Sequence, residues 1–178
     1  MPLAQRRLFL LLGLGLGLSP LRAEEESPEK LQAQAQMRFF GLLIYDIRLW
    51  SRQAVNTQNW ANLPLRLELL YARSLSGREI AKRSLVEMRR QAEIPEAKAK
   101  QWLAEMEAAF PDVTAGQRLS GQFLPGQGMQ FFVNDKLCRR IADPEFARLF
   151  VGIWLAPQTS EPDLRRRLLE AGGGDAKP

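Results

Sequence analysis

Apolar residues run almost unbroken through residues 37–50 (MRFFGLLIYDIRLW), where Phe39, Phe40, Leu42, Leu43 and Ile44 occupy both parities of an extended chain. A strand covered on both faces has this pattern, so the segment predicts a central strand whose middle is buried on two sides. Arg38, Asp46 and Arg48 share one parity, and Tyr45, Ile47 and Leu49 the other. Asp46 and Arg48 can pair with each other or anchor a ligand carboxylate, the mutual pair being the simpler reading. Residues 24–36 before this run are polar and predict a loose lead-in; residues 51–63, with three asparagines, predict a loop. Leu65, Leu67, Leu69 and Tyr71 then alternate with Arg66 and Glu68, as in a half-buried strand.

At Ser76 the period changes from two to 3.6. Ser76-x-x-Glu79 has the form of a capping box, and it opens a helix with Ala81, Leu85, Met88 and Ala92 on one stripe. Ile94-Pro95 interrupts it. A second helix places Ala99, Trp102, Leu103, Met106 and Phe110 inward and stops at Pro111. Strands follow over 118–124, 129–133 and 136–141, the last two joined by Asn134-Asp135, residues that tolerate the positive φ of a hairpin turn. Asp143-Pro144 supplies an N-cap and a first-turn proline to a helix with the stripe Phe146, Leu149, Phe150, Ile153 and Trp154. A short last helix begins near Ser160–Asp163. Strand, strand, two helices, three strands, two helices is an α+β order: a largely antiparallel sheet with helices layered on one face. Trp102, Phe150 and Trp154 read as core, and Tyr45 and Tyr71, the only two phenols, as packed residues with satisfied hydroxyls.

The chain's ends change the picture of where it works. Arg6-Arg7, an apolar run over residues 8–18 and small residues up to Ala23 form a secretory signal peptide over residues 1–23. The apolar run is too short for the roughly 20 residues of a spanning helix, so no stable membrane span is expected after its removal. The mature protein is expected to start near Glu24 and to be periplasmic or secreted. Removing Arg6, Arg7 and Arg22, and no acid, takes the formal net charge from +5 to +2. The remaining arginine clusters are short and lack interleaved aromatics, so no nucleic-acid partner is expected. Residues 171–178 read as a disordered tail.

Histidine is absent. That excludes Ser-His-Asp and Cys-His nucleophilic catalysis and nearly all zinc and non-haem iron sites; no metal and no cofactor is expected. Cys138 is the one cysteine, so no intramolecular disulfide can form; it reads as a small packed residue on a strand.

The segments RFFGLLIYDIRLW, LSGREIAKRSLVEM and IADPEFARLFVGIWL, in this order and spacing, resemble the chalcone isomerase-like family, in particular its exported bacterial branch. The resemblance runs from about Gln36 to Leu169. It implies a single domain over residues 37–170, an open-faced β-sandwich with a cleft between sheet and helices. Plant members close a flavonoid ring in that cleft, while others bind fatty acids without known chemistry. The family's arginine falls at Arg38, ahead of a strand whose Val-Tyr is matched by Ile44-Tyr45, although Gln34 and Gln36 occupy the accompanying glycine positions. The threonine, tyrosine and asparagine of the catalytic members fall at Phe40, Ile80 and Glu87. Phe40 and Ile80 can neither position a water nor donate to a developing oxyanion, and Glu87, beside Arg83, Arg89 and Arg90, reads as a solvated salt-bridge partner.

The resemblance therefore implies ligand-binding residues at Arg38, Tyr45, Ile80 and Glu87, and no catalytic residue. The expected function is non-catalytic binding of a small apolar or amphiphilic, fatty-acid-like ligand. One alternative is an isomerase of the intramolecular lyase type using Arg38 with Tyr45 or Tyr71. The other is an envelope structural or partner-binding protein whose cleft is packed shut. A protein partner is not specified by the sequence.

Overall fold

A computed structural model describes residues 28–170; the signal peptide and the tail expected at the two ends, and the first residues of the lead-in, lie outside the described residues. Six antiparallel strands form one sheet in chain order: β1 (Lys30–Phe39), β2 (Leu42–Ser51), β3 (Leu65–Tyr71), β4 (Arg118–Leu124), β5 (Gly128–Val133) and β6 (Lys136–Ile141). Helices α1 (Gly77–Arg89) and α2 (Glu96–Ala109) lie between β3 and β4, and α3 (Pro144–Leu155) and α4 (Pro162–Glu170) follow β6. No described helix is long and apolar enough to cross a membrane.

Register sorts the side chains onto two faces. Ile47, Leu69 and Leu119 stand side by side, as do Leu49, Leu67 and Gly121, on the face that the helices cover. The opposite face carries Arg48, Glu68 and Ser120 on one rung. Glu68 is buried there because arginines surround it: Arg48 at 3.2 Å, Arg66 at 3.1 Å and Arg118 at 3.7 Å. Asp46 instead accepts from Gln36 at 3.0 Å, so Asp46 and Arg48 have separate partners.

Two expectations fail at the N-terminal hairpin. The lead-in is in large part β1, with Ala33 and Ala35 buried opposite Leu49 and Ile47. Small alanines between glutamines carry little hydrophobic amplitude and weak β propensity, and their burial comes from β2 on one side and α4 above. Residues 37–50, in turn, are not one doubly covered strand. They fold back at Phe40-Gly41, whose φ values of 47° and 78° make a two-residue turn of the type that usually takes Asn-Gly. Phe40 is 90% exposed, and Phe39 and Leu42 are more than half exposed. The apolar run covers both parities because it rounds a tip.

The α1 cap also differs from the sequence reading. Ser76 makes no side-chain cap, and Glu79 pairs with Lys82 at 2.9 Å. The amide of Gly77 donates instead to Asp112 Oδ1 at 2.9 Å, a carboxylate brought there by the Leu75–Val113 bridge. A Cβ on Gly77 would stand 2.0 Å from the Phe110 carbonyl oxygen, so only glycine permits this approach of α1 to the end of α2. Asp143 caps α3 as expected, accepting from the amides of Glu145 and Phe146 at 3.0 Å. Its other oxygen accepts from Trp102 Nε1 at 2.9 Å, which ties α2 to α3. Cys138 is exposed on edge strand β6 rather than packed, with its Sγ 3.2 Å from the Phe131 carbonyl oxygen.

Candidate functional site

Between the covered face of the sheet and helices α1 and α3 lies a cavity of about 410 Å³. Leu67, Leu69, Leu119 and Phe131 form its floor, and Ile80, Phe150, Ile153 and Trp154 its roof. Roof and floor touch where Phe150 packs edge-on against Phe131 at 5.0 Å, and along α3 Phe150 also stacks on Phe146 at 5.6 Å and meets Trp154 at 5.6 Å. Phe39, Glu79 and Arg83 also line it, yet each is mostly exposed, so they mark its opening to solvent.

Few polar groups enter this space. The β2–β3 register places Tyr45 opposite Tyr71, with ring centroids 5.7 Å apart in an edge contact. Tyr45 accepts a hydrogen bond from Trp154 Nε1 at 3.0 Å, which leaves its own hydroxyl proton free to donate. Tyr71 is 3% exposed, and its hydroxyl has no hydrogen-bond partner among the described residues. Burial, with smaller contributions from the charges of Glu161 and Glu87, raises the Tyr45 phenol to about 12. Burial, helped by Tyr45, likewise raises Tyr71. Both phenols are therefore neutral donors at any physiological pH.

A pH dependence follows. Tyr45 ionises near 10.0 in the unfolded chain and about 12 in the fold, so the folded state holds the extra proton between those values. Its contribution to stability is complete below pH 10 and is lost as pH rises towards 12. Urea denaturation through this range should show wild-type stability falling more steeply than that of Tyr45→Phe.

Nearer the opening, Glu87 is 5% exposed and lines the cavity. Arg83 Nη2 sits 2.6 Å from its Oε1, and Arg90 Nε 3.6 Å from its Oε2. The negative charge of Glu87, after burial itself, helps to raise the carboxyl of neighbouring Glu161. The cation facing the cavity is thus Arg83, already engaged by Glu87.

The profile of the chalcone isomerase-like family matches residues 39–170. The chain belongs to the chalcone isomerase-like family. An uncharacterized protein of Haemophilus influenzae is 31% identical over 126 residues, 71% of this chain, and the match spans 60% of that relative's length. Among solved structures, a fatty-acid binding protein of Arabidopsis thaliana superposes with a TM-score of 0.62 at 9% identity, over 82% of this chain and 89% of that one. At that identity the likeness is one of fold: the chalcone isomerase-like open sheet with helices on one face.

The chalcone isomerase-like cleft receives three of the four residues expected in it. Tyr45, Ile80 and Glu87 line the cavity; Arg38 does not. Met37 and Phe39 point into it, so Arg38 between them points away, a consequence of strand parity. Its guanidinium donates to Gln36 Oε1 at 3.0 Å and to the Gly41 carbonyl at 3.1 Å. Phe40, aligned with a catalytic position, sits at the hairpin turn outside the cavity. Glu87 is buried rather than solvated, because α1 turns it towards the cleft. Of the aromatics read as core, Phe150 and Trp154 double as cavity wall, while Trp102 is core alone. Sequence reasoning passed over Arg83 and Tyr71 as cavity groups. The shared inward parity of Tyr45 and Tyr71 was visible; the register that pairs them was not.

Proposed function

We propose that this protein is exported and holds a small apolar or amphiphilic, fatty-acid-like ligand in the cavity without transforming it. The observation that carries the reading is an apolar space of about 410 Å³ into which the Tyr71 hydroxyl opens with no protein partner among the described residues. Its volume lies within the range of small-molecule sites, roughly 300–1,000 Å³. The Tyr71 hydroxyl faces the cavity with no protein acceptor, so a ligand oxygen can take the hydrogen bond it offers there. The structural likeness to a fatty-acid binding protein supports the same class of ligand, and the pattern of residues 1–23 supports export.

The ligand's oxygen is held by Tyr71 and Tyr45, whose donors are uncommitted, rather than by Arg38. Its chain lies along Leu67, Leu69 and Phe131. Native mass spectrometry of protein recovered from its own host's cell envelope should show a retained lipid-sized mass and a chain that begins near Glu24. Displacement of a fluorescent fatty acid should weaken by about 0.5–1.5 kcal/mol in Tyr71→Phe, the net worth of one hydrogen bond, and stay unchanged in Arg38→Ala. No retained mass and no probe binding would overturn the reading.

A further inference from the structure

The β1–β2 hairpin ends in a feature that neither the fold nor the cavity requires. Two hairpins in this sheet turn through residues with positive φ at both central positions. One uses Asn134-Asp135, with φ of 45° and 68°, types that tolerate this conformation. The other uses Phe40-Gly41, placing a bulky aromatic where an asparagine would be less strained. The turn gains nothing from that ring, which is 90% exposed and rests only edge-on against Phe39, 4.5 Å between centroids. Leu42, across the turn, is 52% exposed.

The tip also overhangs the sheet. β1 and β2 pair out to Phe39 and Leu42, whereas β3 accompanies β2 only from Tyr45 onward. Behind the apolar tip stands a cation: Arg38 is exposed, bonds only the neutral Gln36 and Gly41, and has no acid partner among the described residues. Arg73, just past the rung in which Ala72 N donates to the Ile44 carbonyl, is exposed at the same end. Phe39 belongs both to this tip and to the cavity's opening.

We propose that this tip is a membrane-contact element, with Phe40 and Leu42 entering the apolar edge of a bilayer and Arg38 meeting anionic headgroups. Three apolar side chains on a two-residue turn are far short of the roughly 800 Å² per partner that a stable protein interface buries. They suit a bilayer surface, where a few apolar groups beside a cation give reversible attachment. Attachment there sets the cavity's opening, through Phe39, against the source of an apolar ligand. The proposal concerns the tip and stands apart from what the cavity holds.

Flotation of the full chain with phosphatidylcholine vesicles, with and without phosphatidylglycerol, tests it against Phe40→Asn and Arg38→Gln. Whatever residues 1–27 contribute is common to all three proteins. Phe40→Asn should lower partitioning by at least about tenfold, as expected for losing one buried aromatic, while its melting temperature stays equal or rises because asparagine suits the turn. Arg38→Gln should remove most of the preference for phosphatidylglycerol. Equal partitioning of wild type and Phe40→Asn would overturn the proposal. So would a Phe40→Asn variant that loses self-association rather than vesicle binding, which would make the tip a protein contact.

Discussion

Leu69→Trp should weaken lipid uptake by about tenfold while leaving the protein folded. Leu69 stands in the middle of β3, between Ile47 and Leu119, with its side chain in the cavity floor. An indole there has open space to occupy, so it fills a void rather than forcing its neighbours apart. The larger side chain takes the room of about two methylenes of an alkyl chain, each worth about 0.8 kcal/mol on burial. Affinity for a fatty-acid probe should then fall by roughly 1.5 kcal/mol, about tenfold. Titration calorimetry reads the loss, and an unchanged or raised melting temperature separates a blocked site from a damaged fold. Undiminished affinity in a well-folded variant would place the ligand elsewhere on the molecule.

Phe146→Ala should have the largest effect on stability. Phe146 is 0% exposed, with its ring 5.6 Å from Trp102, 5.6 Å from Phe150 and 6.3 Å from Phe131. It therefore joins α2, α3 and β5 at one point, beside the Asp143 cap that also holds Trp102. Truncation removes the transfer free energy of the ring and leaves a hole among aromatics that cannot all close on it, a cost of about 3–5 kcal/mol. Against a typical total of 5–15 kcal/mol, this is enough to bring the variant near unfolding at moderate temperature. Equilibrium urea unfolding measures it. Phe40→Ala serves as the contrast: the same side chain removed from an exposed turn should cost the fold almost nothing.

The long periodic segments were legible because each carries its own physical signal. β3, β4 and β6 start and end where the alternation of Leu65–Tyr71, Arg118–Leu124 and Lys136–Ile141 predicts, and α3 begins at the Asp143-Pro144 cap. The errors fall where a residue's role depends on something distant in the chain. Ala33 and Ala35 are strand residues because β2 and α4 cover them, not through any propensity of their own. Ser76 has the right spacing for a capping box, but Asp112, thirty-six positions along the chain, reaches the helix end instead. The turn at Phe40-Gly41 was hidden because phenylalanine is a residue that turns seldom use.

The site divides along the same line. Hydrophobic period, capping chemistry and turn residues act over a few positions, so the sequence alone determined the α+β class, the family motifs and the inward parity of Tyr45 and Tyr71, but not the strand β1. The absence of histidine likewise settled which chemistries were closed to the chain. Only the tertiary structure decided that Arg38 turns away while Arg83 and Glu87 turn in, since Arg38 lies on β1, across the Phe40-Gly41 turn from Tyr45, between the inward Met37 and Phe39, and the roll of α1 against the sheet sets which of its residues face in. It alone decided that a cavity remains, because an unfilled space is a difference between two packed surfaces and belongs to neither segment by itself.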